Sequence, residues 1–80
     1  MTTSTFAALT AGTDLGIVTT AGTRTVRVTG RAGRHVLTTS GKVRPGARQG
    51  GVIREIDGAF YFQPTAGQKS LSILNVYVLP

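Results

Sequence analysis

The side chains in this sequence suited to acid–base or metal chemistry are few: one histidine, His35, three acids, Asp14, Glu55 and Asp57, and no cysteine. A metal site needs three or four ligands, and His35, Glu55 and Asp57 would have to be gathered by the fold alone. Glu55 and Asp57 stand two apart, the spacing that puts two carboxylates on one face of a strand. Asp57, however, precedes Gly58, where Asp is the expected turn former and Glu55 a solubility residue. With one histidine and no thiol, no set of nucleophile, base and orienting group can be assembled. Gly41-Lys42-Val43 lacks the Ser or Thr of a phosphate loop and its upstream glycine spacing. The glycines between 46 and 51 open no helix whose dipole would hold an anion. The inventory therefore argues against an enzyme, and no cofactor or metal is expected.

The cations are the remaining chemistry. The chain has nine Lys and Arg and a net charge of +6. All but Lys69 fall between Arg24 and Arg54, a stretch that contains no acid. A cationic patch on so small a domain marks a surface that meets something acidic. Arg24, Arg27 and Arg54 fall on expected strands. Arg31 and Arg34 flank a turn, and Lys42, Arg44 and Arg48 lie in a Gly/Arg-rich loop, 41–51. These last five are the residues free to form a partner surface. Arg suits bidentate contact with carboxylates, so an acidic protein partner is favoured slightly over nucleic acid.

Eighty residues make one domain, here read as an N-terminal arm, 1–9, and a single β-domain, 10–80. Without disulfides, so small a core often relies on oligomerisation. The first twenty residues lack a basic segment, so no secretory signal is expected. No apolar run approaches the roughly 20 residues of a membrane helix, and no membrane partner is expected. Threonine, which suits a pleated strand, and eleven glycines dominate the chain. No long window holds an apolar helical period. The fold class is all-β, a small antiparallel barrel or thin sandwich of about six short strands with an extended N-terminal arm.

A turn phrase recurs at Thr10-Ala11-Gly12-Thr13, Thr20-Ala21-Gly22-Thr23, Thr39-Ser40-Gly41-Lys42 and Thr65-Ala66-Gly67-Gln68. Asp57-Gly58 is the strongest two-residue hairpin signal. The turns delimit strands over 15–20, 23–29, 34–39, 52–56, 59–63 and 71–79. Around Asp57-Gly58 the register follows: Ile56 opposes Ala59, Glu55 opposes Phe60, Arg54 opposes Tyr61 and Ile53 opposes Phe62. Arg54 is expected to stack on Tyr61. In the last strand, alternation puts Leu71, Ile73, Tyr77 and Leu79 on one face and Leu74, Val76 and Val78 on the other. A half-solvated sheet would keep one face polar. Either the arm covers the second apolar face, or another protein chain does.

The Thr/Ala/Gly-rich segment Thr2-Thr3-Ser4-Thr5-Phe6-Ala7-Ala8-Leu9, the Cys-free β-domain with its Thr-Ala-Gly turns, and the apolar C-terminal strand ending at Pro80 together resemble a known class. They look like the small all-β structural proteins of tailed-phage virions, capsid decoration or cement proteins in particular. The resemblance covers the whole chain in style and composition and carries no motif, so no functional residue transfers. It implies a cofactor-free virion protein that binds major capsid subunits, often as a trimer, and stabilises the shell. The arm would add a strand to a neighbour's sheet. Expected partner-binding residues are then Phe6 and Leu9 of the arm, Leu74, Val76 and Val78 of the last strand, and the cations Arg31, Arg34, Lys42, Arg44 and Arg48. Two alternatives share these features: a nucleic-acid-binding small barrel, and a phage tail or connector subunit.

Overall fold

The computed structural model describes residues 1–41, 50–64 and 69–80. A short helix, α1 (Thr3–Ala7), precedes β1 (Asp14–Thr19), β2 (Gly22–Arg31), β3 (Val36–Gly41), β4 (Gly51–Ile56), β5 (Ala59–Pro64) and β6 (Leu71–Val78). Each strand pairs antiparallel with the next, and β6 returns to β1, closing a six-stranded barrel. Closure settles the choice between barrel and sandwich and leaves no open sheet. The β4–β5 hairpin has the expected register, Ile56↔Ala59 to Ile53↔Phe62. Its turn bends through positive φ at Asp57 (50°) and Gly58 (83°), the geometry that matches the twist of paired strands.

Period-two alternation fills the barrel. Leu15 and Ile17, Val26 and Val28, Leu37, Ile53 and Phe62 point inward and are fully or almost fully buried. Their neighbours Thr25, Arg27 and Thr29 share the outer face of β2, as the alternation requires. A six-stranded barrel has room inside only for side chains, so this interior is a packed core.

Four expectations change. Residues 1–9 are not extended: Thr3–Ala7 forms a helical turn that plugs one mouth of the barrel. Thr2 caps it, its hydroxyl accepting from Thr5 N at 3.1 Å, which satisfies one of the orphan donors of a helix start. Phe6 lies in the helix and Leu9 just past its cap Ala8, its amide donating to the Phe6 carbonyl at 3.3 Å, and both are buried in the core. They are therefore closure residues, with no surface left for a partner. Thr39-Ser40-Gly41 is strand and not turn; β3 runs through it to pair with β2 and β4.

The last strand breaks its own alternation. Val18 pairs with Asn75, but Thr19 pairs with Ile73, so Leu74 is an extra residue. A bulge of this kind shifts which residues face inward. Ile73 on one side of it and Val76 on the other both pack against the core. Val76 is therefore buried, 5% exposed, and is not an outward partner residue. Leu74 is pushed out to 67% exposure, and Val78, opposite Leu15 at the strand's end, remains 52% exposed.

Candidate protein-interaction surface

The plugged mouth brings two of the sequence's few reactive groups together, His35 and Glu55. The Glu55 carboxylate is buried and accepts three hydrogen bonds from three segments. His35 Nδ1 stands 2.5 Å from Oε2, Gly58 N donates to Oε1 at 3.0 Å, and the Thr3 hydroxyl donates to Oε1 at 3.3 Å. Facing an ionised carboxylate, His35 Nδ1 carries the proton. The His35 contact, then the Gly58 amide, hold the Glu55 pKa below the ordinary carboxylate value, against a smaller opposing effect of desolvation. A shallow hollow of about 410 Å³ lies beside His35, Glu55, Ile56 and Asp57. The carboxylate that borders it is already saturated by protein donors. Among the described residues no three His, Cys, Asp or Glu side chains stand where they could hold a metal ion.

Arg31 does not belong to a free cationic patch. Its Nη2 donates to the carbonyls of Phe6 at 2.8 Å and Leu9 at 2.7 Å, and its Nη1 to those of Gly33 at 3.4 Å and Arg34 at 3.2 Å. The guanidinium also stands over the Phe6 ring, 5.9 Å from its centroid. The Phe6 and Leu9 carbonyls belong to the end of the plug helix and the turn after it, and those of Gly33 and Arg34 to the β2–β3 connection, so Arg31 is the latch that ties the plug to the barrel. Phe6 completes the contact from inside, its ring 5.1 Å from that of Phe60.

The other strand cations also have local uses. Arg27 forms a forked pair with Asp14, at 2.8 and 3.2 Å. Arg24 lies 5.7 Å over the ring of Phe62. Arg54 pairs in register with Tyr61 as expected, but its guanidinium bonds the Gln63 side chain. Arg34 is exposed. Lys42, Arg44 and Arg48 lie outside the described residues.

Among the described residues the exposed large hydrophobic ones are Leu74, Tyr77 and Val78 of β6 and Ile56 at the end of β4. Tyr77 pairs with Gly16, and its ring lies across the space a side chain there would fill. β6 is paired on both edges, with β1 and with β5, which fixes the positions of Leu74, Tyr77 and Val78 on the barrel. The fold and this surface define a small plugged β-barrel with a partly apolar exterior. Comparison with protein-family models, with curated proteins and with solved structures finds no match.

Two of these arrangements were hidden in the sequence. The Glu55–His35 pair joins residues 20 apart; nothing in their spacing announces it. The plug helix did have a signal: Thr2 three residues before Thr5, an N-cap spacing, followed by Phe6 and Leu9 at helical separation.

Proposed function

We propose that this barrel is a non-enzymatic structural subunit of a tailed-phage virion, a decoration or cement protein that binds and stabilises the capsid shell. The observation that carries the reading is the set of apolar side chains, Leu74, Tyr77 and Val78, exposed on a strand that contains no charged residue. Exposed apolar groups clustered on one strand of a small basic domain fit a subunit interface. The whole-chain resemblance to virion β-proteins supplies the kind of assembly. In this reading the wall around β6 packs against a subunit, and Arg34 together with Lys42, Arg44 and Arg48 meets acidic groups of the shell.

The plug supports the same reading. Among the described residues the barrel interior is filled by packed apolar side chains and one mouth is covered by the plug, so the contact surface is the exterior. The stacking platforms a nucleic-acid barrel would use are also largely taken: Phe6 and Phe62 are buried, with arginines already over them. The test is co-sedimentation of the purified chain with shells built from the major capsid protein encoded beside it. Saturable binding that raises the shell's melting temperature is expected. Failure to bind, together with duplex DNA binding whose affinity falls steeply with salt, would replace this reading by the nucleic-acid one.

A further inference from the structure

We infer that Asp57–Gly58 is a site of backbone isomerisation, converting to isoaspartate through a cyclic imide, and that Glu55 holds the site closed. The site is independent of what the barrel binds. The sequence supplies the reacting pair. Asp57 offers a side-chain carboxyl directly before a backbone amide, and Gly58 has no Cβ to shield that amide. The fold leaves the pair accessible. Both residues are exposed, at the tip of the β4–β5 hairpin. A Cβ added to Gly58 would meet nothing within 4 Å. Among the described residues no hydrogen bond or ion pair engages the Asp57 carboxyl, which is free to turn toward the chain. Asp57 is also the one non-glycine residue at positive φ among the described residues, at 50°, a region that L side chains occupy at a cost.

The conversion needs only water. The Gly58 nitrogen gives up its proton to solvent and bonds to Cγ of the protonated Asp57 carboxyl. The Cγ–OH bond breaks and water leaves, closing an imide ring through the Asp57 Cα, Cβ and Cγ, the Gly58 nitrogen and the Asp57 main-chain carbonyl carbon. Water then adds back. Addition at Cγ breaks the new N–Cγ bond and restores aspartate. Addition at the main-chain carbonyl carbon breaks the original peptide C–N bond. The chain then runs through Cβ and Cγ, and the former main-chain carbonyl becomes a free α-carboxylate. Mass is unchanged, nothing is oxidised or reduced, and the backbone has gained a methylene.

Glu55 opposes the first step. Its Oε1 accepts the Gly58 N–H at 3.0 Å, so in the closed turn the proton that must leave is held by a carboxylate. The nitrogen reaches Cγ only after its peptide plane rotates away. The Ile56↔Ala59 pair brackets the same turn. Glu55 is itself fixed by His35 at 2.5 Å and Thr3 at 3.3 Å, so it cannot follow the amide as the turn rotates. Conversion is therefore an event of the opened turn, and its rate reports local opening. The product cannot close again in the same way. An extra methylene in a two-residue turn breaks the Ile56–Ala59 register and moves the Gly58 amide off Glu55, which loosens the plugged mouth. A carboxylate acting as a base toward the same proton would speed conversion, the opposite sense.

The experiment ages the full chain at neutral pH, well below its melting temperature, in water enriched in heavy oxygen. Peptide mapping by mass spectrometry with electron-transfer fragmentation counts isoaspartate at residue 57, and heavy oxygen enters each time an imide is hydrolysed. The folded wild-type chain should convert slowly and the same chain in urea much faster. Glu55→Ala should speed conversion in the folded chain by about tenfold or more, the weight of one hydrogen bond to a charged acceptor. Glu55→Gln, which keeps an uncharged acceptor, should fall between. Asp57→Glu, whose longer side chain closes the ring far less readily, should show no conversion. Arg31→Ala weakens the plug but leaves the Gly58–Glu55 bond, so while folded it should convert at the wild-type rate. Converted wild-type chain, separated by chromatography, should melt below the unconverted chain. Absence of isoaspartate in urea would overturn the site. Equal rates in the folded chain and in urea, or unchanged or slower conversion in both Glu55 variants, would overturn the role of Glu55. Equal acceleration in Arg31→Ala would do so too, by placing the gate in global unfolding. A converted chain that melts like the unconverted one would overturn the loosening of the mouth.

Discussion

Glu55 is the residue on which most of the plugged mouth converges. One carboxylate holds the first turn of the plug through Thr3, the start of β3 through His35 and the β4–β5 turn through Gly58. Its folded-state pKa is depressed, chiefly by His35. Linkage then fixes the sign. Ionised Glu55 stabilises the fold at pH above the ordinary carboxylate value, and that contribution is lost as pH falls through the depressed folded value. Glu55→Gln should therefore lower thermal stability at neutral pH and shrink its fall on acidification. His35→Ala removes the largest cause of the depression, so the acid loss should be smaller and should end at a higher pH. Melting temperature measured against pH checks both. A Glu55→Gln curve parallel to wild type would refute the assignment. Arg31 is the counterpart on the plug's other side. Arg31→Ala removes the guanidinium donor from the carbonyls of Phe6 and Leu9 and should cost about 1–3 kcal/mol by denaturant titration. Arg31→Lys should recover little, because an ammonium cannot reproduce the fork that spans two carbonyls.

At the scale of the element, the plug is part of the fold and not a tail. Deleting residues 2–9 uncovers the apolar mouth beside Phe60, removes the buried Phe6 and Leu9, and takes from Arg31 two of its four carbonyls and from Glu55 its Thr3 donor. Phe6→Ala alone should cost about 3 kcal/mol or more, a large share of the roughly 4–12 kcal/mol a domain of this size possesses. The deletion should then leave a chain that is unfolded or melts far below wild type. A deletion variant with unchanged melting would refute the plug. Gly51 gives a second element-scale test. A Cβ there would strike the Gln63 carbonyl and the Phe62 ring, and a backbone carbonyl in a paired strand cannot move aside. Gly51→Ala should thus destabilise by about 1–3 kcal/mol. The strands and the β4–β5 register were legible because alternation and Asp57-Gly58 are local signals. The bulge at Leu74 was not, since only the pairing of β6 with β1 shows that one residue is extra. That one residue moves Val76 from the expected outer face into the core. The arm misled for a related reason: threonines favour strands, but at a chain start Thr2 does more as a cap, and burial of Phe6 decides the outcome.

Over the whole molecule, charge is sorted by whether it is already used. The acids Asp14 and Glu55 are tied to Arg27 and His35, and Asp57 forms a turn. Arg31 is latched to the plug and Arg54 to Gln63. The basic patch read from the sequence therefore contracts, among its described members, to Arg34, with Lys42, Arg44 and Arg48 outside the described residues. If these residues carry the contact with an acidic shell, replacing them should weaken binding; for the exposed Arg34, a substitution away from packed features usually changes stability by about 0.5 kcal/mol or less. The combined variant Arg34→Ala, Lys42→Ala, Arg44→Ala, Arg48→Ala should keep the wild-type melting temperature, since no described hydrogen bond depends on the Arg34 side chain. Its affinity for shells should fall, and so should the salt dependence of the remaining binding, because long-range attraction between exposed charges is what salt screens. Arg31→Ala is the contrasting case: it should lower melting temperature first and shell binding only as the fold is lost. Shell binding by the combined variant with wild-type affinity and wild-type salt dependence would remove the cations from the contact and leave the apolar wall around Leu74 and Tyr77 to account for all of it.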